Sequence, residues 1–121
     1  MTDALHLSAS QAKEMVLRDG ILPQGTIVGE SLDLDDCIFK DTVTLDGVTF
    51  VGGLSLKGAT VKGDLELNGI LIEYDGLDLE DAIISGELVI GSLPGRPVKI
   101  NGFVNLSTGT FNLEVQHFLL N

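Results

Sequence analysis

A phrase of eleven residues repeats along most of this chain, and a period of that length limits what the chain can fold into. In register, the first four copies read GILPQGTIVGE (20–30), SLDLDDCIFKD (31–41), TVTLDGVTFVG (42–52) and GLSLKGATVKG (53–63). The next copies are DLELNGILIEYD (64–75, one residue longer), GLDLEDAIISG (76–86) and ELVIGSLPGR (87–96, one shorter). A looser copy, PVKINGFVNLS, starts at Pro97. Internal repeats of this kind predict a stack of equivalent structural units.

Each unit alternates apolar and polar residues twice, as in Leu54, Leu56, Ala59 and Val61 of the fourth unit. Alternation by two predicts short strands with one buried face, and the polar pairs between them, rich in Gly, Asp and Asn, predict turns. An eleven-residue period also fits a right-handed coiled coil. Glycine at most turns and the many β-branched residues disfavour that helix.

Two units, or 22 residues, make one rectangular coil if the chain turns by about 90° at every gap, and parallel pairing sets the next coil ~4.8 Å above it. The sequence therefore predicts an all-β fold: a right-handed parallel β-helix of about four 22-residue coils, ~19 Å tall, with a short N-terminal capping helix. Residues one coil apart should then match in size. Three such columns are Cys37, Ala59 and Ala82; Phe39, Val61 and Ile84; and Leu34, Leu56 and Leu79.

The small-x-large pairs of these units carry a resemblance to a known family. They are Cys37/Phe39, Val48/Phe50, Ala59/Val61 and Ala82/Ile84. In phrases such as GVTFVGGLSLKGATVKGDLELNG they resemble pentapeptide-repeat proteins, above all the divergent branch whose units alternate five and six residues, over about residues 20–107. The resemblance implies a right-handed quadrilateral β-helix, a DNA-mimicking role like that of gyrase-protecting members, and a dimer joined through the C-terminal ends.

The ends of the repeat region are predicted to be covered. Ser8 and Gln11 have the spacing of a capping box, and a helix is expected from about Ser10 to Arg18, ended by Gly20. The predicted organisation is an N-terminal segment with a capping helix (1–19), a β-helix (20–107) and a C-terminal cap or dimer contact (108–121).

Charge is the unusual feature of the composition: 18 acidic residues face 7 basic ones, a net charge of -11. Residues 30–91 hold 14 of the acids and only three lysines, so all of the net charge lies on the repeats. Such a surface repels nucleic acid and anionic membranes and attracts basic proteins or cations.

No catalytic residue, metal site or cofactor is predicted, and the chain is expected not to be an enzyme. Cys37 occupies an inward position and is expected to be a core thiol, while His6 and His117 lie far apart in the sequence. No phosphate loop, dinucleotide fingerprint or metal-ligand spacing occurs. Two acidic clusters, Asp33/Asp35/Asp36 and Asp78/Glu80/Asp81, would lie two coils (~9.6 Å) apart, and Lys57 between them predicts a salt-bridge ladder rather than a calcium site.

A cytoplasmic location is expected. The N-terminus has no basic start followed by an apolar stretch, no apolar run approaches the ~18 residues of a membrane helix, and the single cysteine gives no disulfide framework.

The units fall alternately on two halves of the predicted tube. The half formed by residues 30, 42–52, 64–75 and 87–91 carries seven acids and no base. Asp64 and Glu87 are predicted to stack there as like charges, at a cost of ~1 kcal/mol for an exposed pair. The predicted protein-binding surface consists of acids that stand in for phosphates and a tyrosine as a possible anchor: Asp46, Asp64, Glu66, Glu73, Tyr74, Asp75 and Glu87.

The function predicted from this surface is nucleic-acid mimicry: the chain binds a basic surface of a nucleic-acid-binding protein or complex and inhibits it. Duplex DNA carries one charge per ~1.7 Å, so ~19 Å of it carries about 11 charges, as the repeats do. A phage-type inhibitor of a defence machine such as a CRISPR complex and a gyrase-binding protein both fit. Neither direct nucleic-acid binding nor membrane binding is expected.

Three alternatives remain open, of which one is an enzyme or an ion-binding protein whose acids converge on one point. The acids can form only a solvated face, or the chain can be a structural module that joins end to end, as a dimer or a bactofilin-like polymer.

Overall fold

A computed structural model describes the backbone of residues 4–116 and the side chains of residues 4–113. This part of the chain forms one helix, α1 (Ala9–Asp19), and fifteen strands, of which thirteen are two residues long. The first eight strands are β1 (His6–Leu7), β2 (Ile27–Val28), β3 (Leu32–Asp33), β4 (Ile38–Phe39), β5 (Val43–Thr44), β6 (Thr49–Phe50), β7 (Leu54–Ser55) and β8 (Thr60–Val61). The others are β9 (Leu65–Glu66), β10 (Leu71–Ile72), β11 (Leu77–Asp78), β12 (Ile83–Gly91), β13 (Lys99–Ile100), β14 (Val104–Asn105) and β15 (Thr110–Gln116).

The strands stack in parallel along four faces, which we number in the order the chain visits them. The first face holds β1, β2, β6, β10 and β13, and the second holds β3, β7, β11 and β14. The third face holds β4, β8 and the start of β12, and the fourth holds β5, β9 and the end of β12. Because β12 runs around a corner, the third and fourth faces share one sheet, and β15 pairs with β12. Three sheets of short, regularly spaced parallel strands are consistent with a parallel β-helix.

The predicted 22-residue register is confirmed in the first two turns of the chain. Leu32 pairs with Leu54, and the same interval joins Ile38 to Thr60. The Leu34 amide donates to the Ser55 carbonyl at 2.8 Å, and the Leu56 amide donates to the Asp78 carbonyl at 2.8 Å. Leu56 therefore lies between Leu34 and Leu79, as the matched column predicts.

The inward positions of the strands form one continuous apolar core. Leu34, Leu56 and Leu79 are fully buried, as are most other inward residues from Val28 to Leu88. Burial of one face explains why the register is so well specified, since a shift by one residue would expose every apolar side chain of a strand.

Two corners depart from the period. The extra residue of the sixth copy lies between β10 and β11, as predicted, because Ile72 pairs 22 residues away with Phe50 whereas Leu77 pairs 23 away with Leu54. The prediction that 87–96 is one residue short is wrong. Leu88 pairs 23 residues away with Leu65, but Ile100 pairs 28 away with Ile72, so five more residues separate these strands. These residues form an expanded corner, in which the backbones of Leu93 and Arg96 pair as an isolated antiparallel bridge.

The predicted capping helix is present, one residue longer at each end than expected. Ser8 and Gln11 form both hydrogen bonds of the capping box, and Gly20 ends the helix in the left-handed conformation at φ 72°. Ala12 and Val16 are buried in the same core as the strands, and the helix packs against β3. The helix thus covers the first turn of the stack.

Strands adjoin both predicted domain boundaries. β1 precedes the helix and pairs with β2, and β15 pairs with β12, so residues on either side of 19 and of 107 contribute to the sheets. The division into 1–19, 20–107 and 108–121 stays a prediction, and His117 and the final FLLN lie outside the described residues. In the described range, no helix has both the length and the apolar character needed to cross a membrane.

Candidate protein-binding surface

Polar residues lie at the corners of the stack, where short turns and bends join most of the strands. Between the second and third faces, the second turn residue takes a positive φ in every layer: 59° at Asp36, 69° at Gly58, 61° at Asp81 and 54° at Thr108. This conformation suits glycine, and aspartate and asparagine also tolerate it. The turn geometry therefore favours aspartate at a place where the carboxylate is exposed.

The structure does not bring the seven predicted surface residues together. Glu73, Tyr74 and Asp75 lie at the corner between the first and second faces. The other four lie on the fourth face and its two corners: Asp46, Asp64, Glu66 and Glu87. The first face separates the two groups, and its outward positions are Ile27, Thr49, Leu71 and Lys99.

The fourth-face acids are engaged by their own chain. Asp64 Oδ1 accepts from the Glu87 amide at 2.9 Å, which places these two residues in adjacent layers, as predicted. Glu66 Oε1 accepts from the Thr44 hydroxyl at 2.8 Å, and Asp46 Oδ1 accepts from the Asn68 amide at 2.8 Å. These carboxylates stabilise the stacking of successive turns.

A basic residue lies on the half for which the sequence predicted none. Arg96, in the expanded corner, donates through Nε to the Gly69 carbonyl and through Nη2 to Thr49 Oγ1, both at 2.8 Å. Lys99 also occupies an outward position of the first face. The expectation of a base-free half is wrong, because the five-residue insertion folds Arg96 back across two layers.

The densest group of carboxylates lies instead on the second face and its two corners, which we call the acidic face (residues 29–37, 51–59, 73–82 and 101–109). It contains nine acids and one base, Lys57. The remaining faces and corners (38–50, 60–72, 83–100 and 110–116) contain six acids and four bases. The nine acids form two rows, the lower row of Glu30, Asp33, Asp35 and Asp36, and the upper row of Glu73, Asp75, Asp78, Glu80 and Asp81.

The two acidic rows are two layers apart. Ser55 pairs with Asp33 below and with Asp78 above, so a layer without acids separates the rows. Adjacent parallel strands are ~4.8 Å apart, which puts the rows ~9.6 Å apart.

Hydrogen bonds within the chain hold several of these carboxylates in place. Asp33 Oδ1 accepts from the Asp35 amide at 2.8 Å, and Asp78 Oδ1 accepts from the Glu80 amide at 3.0 Å. Asp35 Oδ1 accepts from the Ser55 hydroxyl and, at 2.9 Å, from the Lys57 amide. A carboxylate has about four acceptor sites, so each can accept further donors from a partner.

One rung of the predicted salt-bridge ladder is present. Lys57 Nζ lies 3.6 Å from Glu80 Oε2, an exposed pair of the kind that contributes little to stability. Asp35 contacts the Lys57 backbone instead of its ammonium. Within the described residues, no group of three or more His, Cys, Asp or Glu side chains is arranged to hold a metal ion.

Two exposed aromatic residues border the acidic face. Tyr74 is 65% exposed at the corner next to Glu73, and Phe103 is 53% exposed at the same corner one layer above. Aromatic residues are enriched at protein interfaces, where they bury a large area at little entropic cost.

Sequence reasoning missed the acidic face because it grouped the acids by repeat unit. A unit starts on the second or fourth face and ends at the corner before the other. Glu30 therefore lies at the end of one unit, and Glu73 and Asp75 at the end of another, whereas their neighbours in space belong to the units that follow. Grouping the outward positions by strand and adjoining corner would have found the surface.

Cys37 and His6, the other residues considered in the sequence analysis, differ in burial. Cys37 is partly buried against the core, and this burial raises the pKa of its thiol while the nearby Lys13 opposes the shift. His6 is exposed on β1.

In comparisons with known proteins, no family model, no curated protein and no solved structure matched the chain. The likeness to pentapeptide-repeat proteins therefore stays a prediction from the sequence.

Proposed function

We propose that this chain is a non-enzymatic nucleic-acid mimic, which binds the basic surface of a nucleic-acid-binding protein through the acidic face and inhibits it. The observation that carries the proposal is the pair of acidic rows. Nine carboxylates and one lysine give this face a net charge of -8, whereas the rest of the faces and corners have six acids and four bases, a net charge of -2.

The charge density of the acidic face supports the comparison with a duplex. The rows and the layer between them span three layers, ~14 Å, and the same length of duplex DNA carries about 8 phosphate charges. The rows are ~9.6 Å apart, between the widths of the minor groove (about 6 Å) and the major groove (about 12 Å). A protein that accepts two phosphate backbones around a groove would accept two carboxylate rows.

Attraction between the acidic face and a basic groove would release counterions from both, so added salt should weaken binding. Glu73, Tyr74 and Asp75 keep their predicted role at the edge of this surface. In this proposal, the predicted fourth-face group of Asp46, Asp64, Glu66 and Glu87 instead maintains the stacking.

Two variants with equal changes in net charge test which group binds. The first replaces Asp36, Asp75 and Asp81 by Asn, which keeps the side-chain shape and tolerates the positive φ of all three positions (59°, 60° and 61°). The second replaces Asp64 by Asn and both Glu66 and Glu87 by Gln. Immobilised wild-type protein and both variants would capture proteins from a bacterial lysate at low salt, and duplex DNA would then be added at constant ionic strength.

We expect duplex DNA to displace the captured proteins, and the acidic-face variant to retain at least about tenfold less of them than the fourth-face variant does. If the captured proteins stay bound when duplex DNA is added, mimicry is contradicted. Equal retention by the two variants would contradict the placement on the acidic face.

A right-handed sense and about four coils of 22 residues belong to the same proposal, as does a relation to pentapeptide-repeat proteins. The matched apolar columns support them, and an experimental structure would test them.

End-to-end self-association is a second candidate, favoured by the two ends of the stack. The helix covers the first turn, whereas the last described turn presents Val104 and Leu113, each 50% exposed. A homodimer through this end would bury them. Light scattering over a concentration series should then show a dimer that is lost on Val104→Asp with Leu113→Asp, and a monomer at high concentration would exclude it.

A further inference from the structure

A groove of about 270 Å³ crosses the acidic face between its two rows. Asp33 and Ser55 line its lower part, Asp75 and Asp78 line its upper part, and Phe103 of the next layer also lines it. The groove is partly open to solvent. The inference about which group binds in this groove rests on the proposed function and deepens it.

Two glycines line the groove where adjacent layers approach closely. Gly53 and Gly76 both line it, and any side chain at Gly76 would collide with the carbonyl oxygen of Phe103. A Cβ at Gly53 would lie 3.0 Å from the Cβ of Asp75. The glycines therefore allow the layers to pack closely at this corner, next to the carboxylates that line the groove.

The chemistry of the lining fits a planar cation. In the described chain, Lys57 Nζ contacts Glu80 and is not among the groove residues. Asp75 Oδ2 accepts only a long hydrogen bond, 3.4 Å, from Ser31 Oγ, and Asp33 and Asp78 each accept one backbone amide through Oδ1. The exposed ring of Phe103 adds an aromatic surface, to which a cation is attracted.

We propose that this groove binds an arginine side chain of the basic partner, with the guanidinium hydrogen-bonded to Asp75 and Asp78 and packed against Phe103. Arginine fits better than lysine because its planar donors match carboxylates in pairs and its flat face stacks on an aromatic ring. The same residue enters narrow grooves of DNA between two phosphate backbones, which the two acidic rows resemble. A desolvated arginine in a central groove is also a typical interface hot spot.

The probes are three acetylated and amidated pentapeptides, Gly-Gly-Arg-Gly-Gly and its lysine and citrulline counterparts, titrated into labelled protein and followed by amide NMR shifts. We expect the arginine peptide to shift the amides of Gly53, Gly76 and Phe103 and to bind at least about threefold more tightly than the lysine peptide. The neutral citrulline peptide should not bind. Equal affinity for arginine and lysine, or shifts centred on Asp64 and Glu87, would overturn the inference.

Phe103→Leu keeps an apolar side chain without the ring, and its amide spectrum reports whether it folds. It should weaken the preference for arginine over lysine, because only the paired hydrogen bonds to the carboxylates remain, whereas Asp64→Asn on the fourth face should leave the preference unchanged. An unchanged preference in folded Phe103→Leu would remove the ring from the site.

The two proposals fail in different ways. If duplex DNA displaces the captured proteins but the peptides show no preference for arginine, mimicry stands and the groove does not contribute. If arginine binds in the groove but DNA does not compete, the acidic face is a site for basic peptides and mimicry is wrong.

Discussion

Thr26 occupies an inward position that the other layers fill with Val48, Ile70 and Val98, all of them buried. Thr26 is fully buried as well, and its Oγ1 has no hydrogen-bond partner within the described residues. A buried hydroxyl without a partner destabilises the folded state, since it gives up its hydrogen bonds to water.

Replacing Thr26 by Val should therefore raise the free energy of unfolding by about 1 kcal/mol, because the methyl group matches its neighbours and no hydroxyl is left unpaired. Urea unfolding would measure the change. Thr49→Val is the control with the opposite sign, because it removes the acceptor of Arg96 Nη2. A loss of stability in Thr26→Val would show that the hydroxyl has a partner.

Glycine is required either because the backbone has a positive φ or because a neighbouring backbone leaves no room for a Cβ. Gly25 and Gly76 allow these two reasons to be tested separately. Gly25 and Gly76 both have positive φ, 86° and 74°, but nothing lies within 4 Å of a Cβ at Gly25, whereas a Cβ at Gly76 meets the Phe103 backbone. Gly25→Ala should cost about 1 kcal/mol of unfolding free energy for the backbone conformation alone. Gly76→Ala should cost at least about 3 kcal/mol, since overpacking against backbone adds to it. Equal losses in urea unfolding would mean that the corner between the first and second faces relaxes freely.

At the scale of elements, the repeat period determined most of what could be predicted. Inward positions are apolar in nearly every layer, so the sequence indicated strands, register and columns such as Leu34, Leu56 and Leu79. The helix could be predicted from Ser8, Gln11 and Gly20, because these residue types are favoured at helix ends. The missed elements carry no repeated pattern: β1 is a two-residue strand outside the repeats, and the expanded corner around Pro94 and Gly95 has the appearance of a shortened unit.

The helix is an element whose contribution can be measured separately. Ser8 Oγ accepts from the Gln11 amide at 3.2 Å, and the Gln11 side chain accepts from the Ser8 amide at 2.9 Å. Ser8→Ala should lower the unfolding free energy by about 1 kcal/mol, because the first turn then loses its cap. Ser10→Ala, at an exposed position inside the helix, should instead raise it by a few tenths of a kcal/mol. If Ser8→Ala leaves the thermal midpoint unchanged, the helix does not contribute to global unfolding.

At the scale of the whole molecule, the sequence predicted how much charge the repeats carry but not where it accumulates. Outward residues are not constrained by packing, so no periodic pattern marks a face. The acidic face is formed by residues from different repeat units, which lie next to each other only in the folded chain. Arg96 contacts the first face because of an insertion whose path the sequence did not indicate. Asp75 belongs to the predicted protein-binding surface, whereas its neighbour Asp78 belongs only to an acidic cluster that the sequence suggests for metal binding.

Crowding of like charges on one face should also make folding stability depend on salt. The thermal midpoint of the wild-type protein is expected to rise by a few degrees between about 20 and 300 mM NaCl, because ions screen the repulsion between the acidic rows. The variant with Asn at Asp36, Asp75 and Asp81 should have the higher midpoint at low salt and a weaker dependence on salt. A midpoint that falls with added NaCl in the wild type would indicate that attractive pairs dominate.

The 22-residue interval between paired strands in the first layers also makes the length of this molecule adjustable. Inserting a second copy of residues 43–64 would add one complete layer in phase with its neighbours, since it begins and ends at equivalent places in the path. The upper carboxylates would then stand ~4.8 Å farther from the lower ones. A series of such insertions would vary this separation in steps of one layer. Under the proposed mimicry, the insertion that gives the strongest inhibition would indicate the spacing of basic residues on the target.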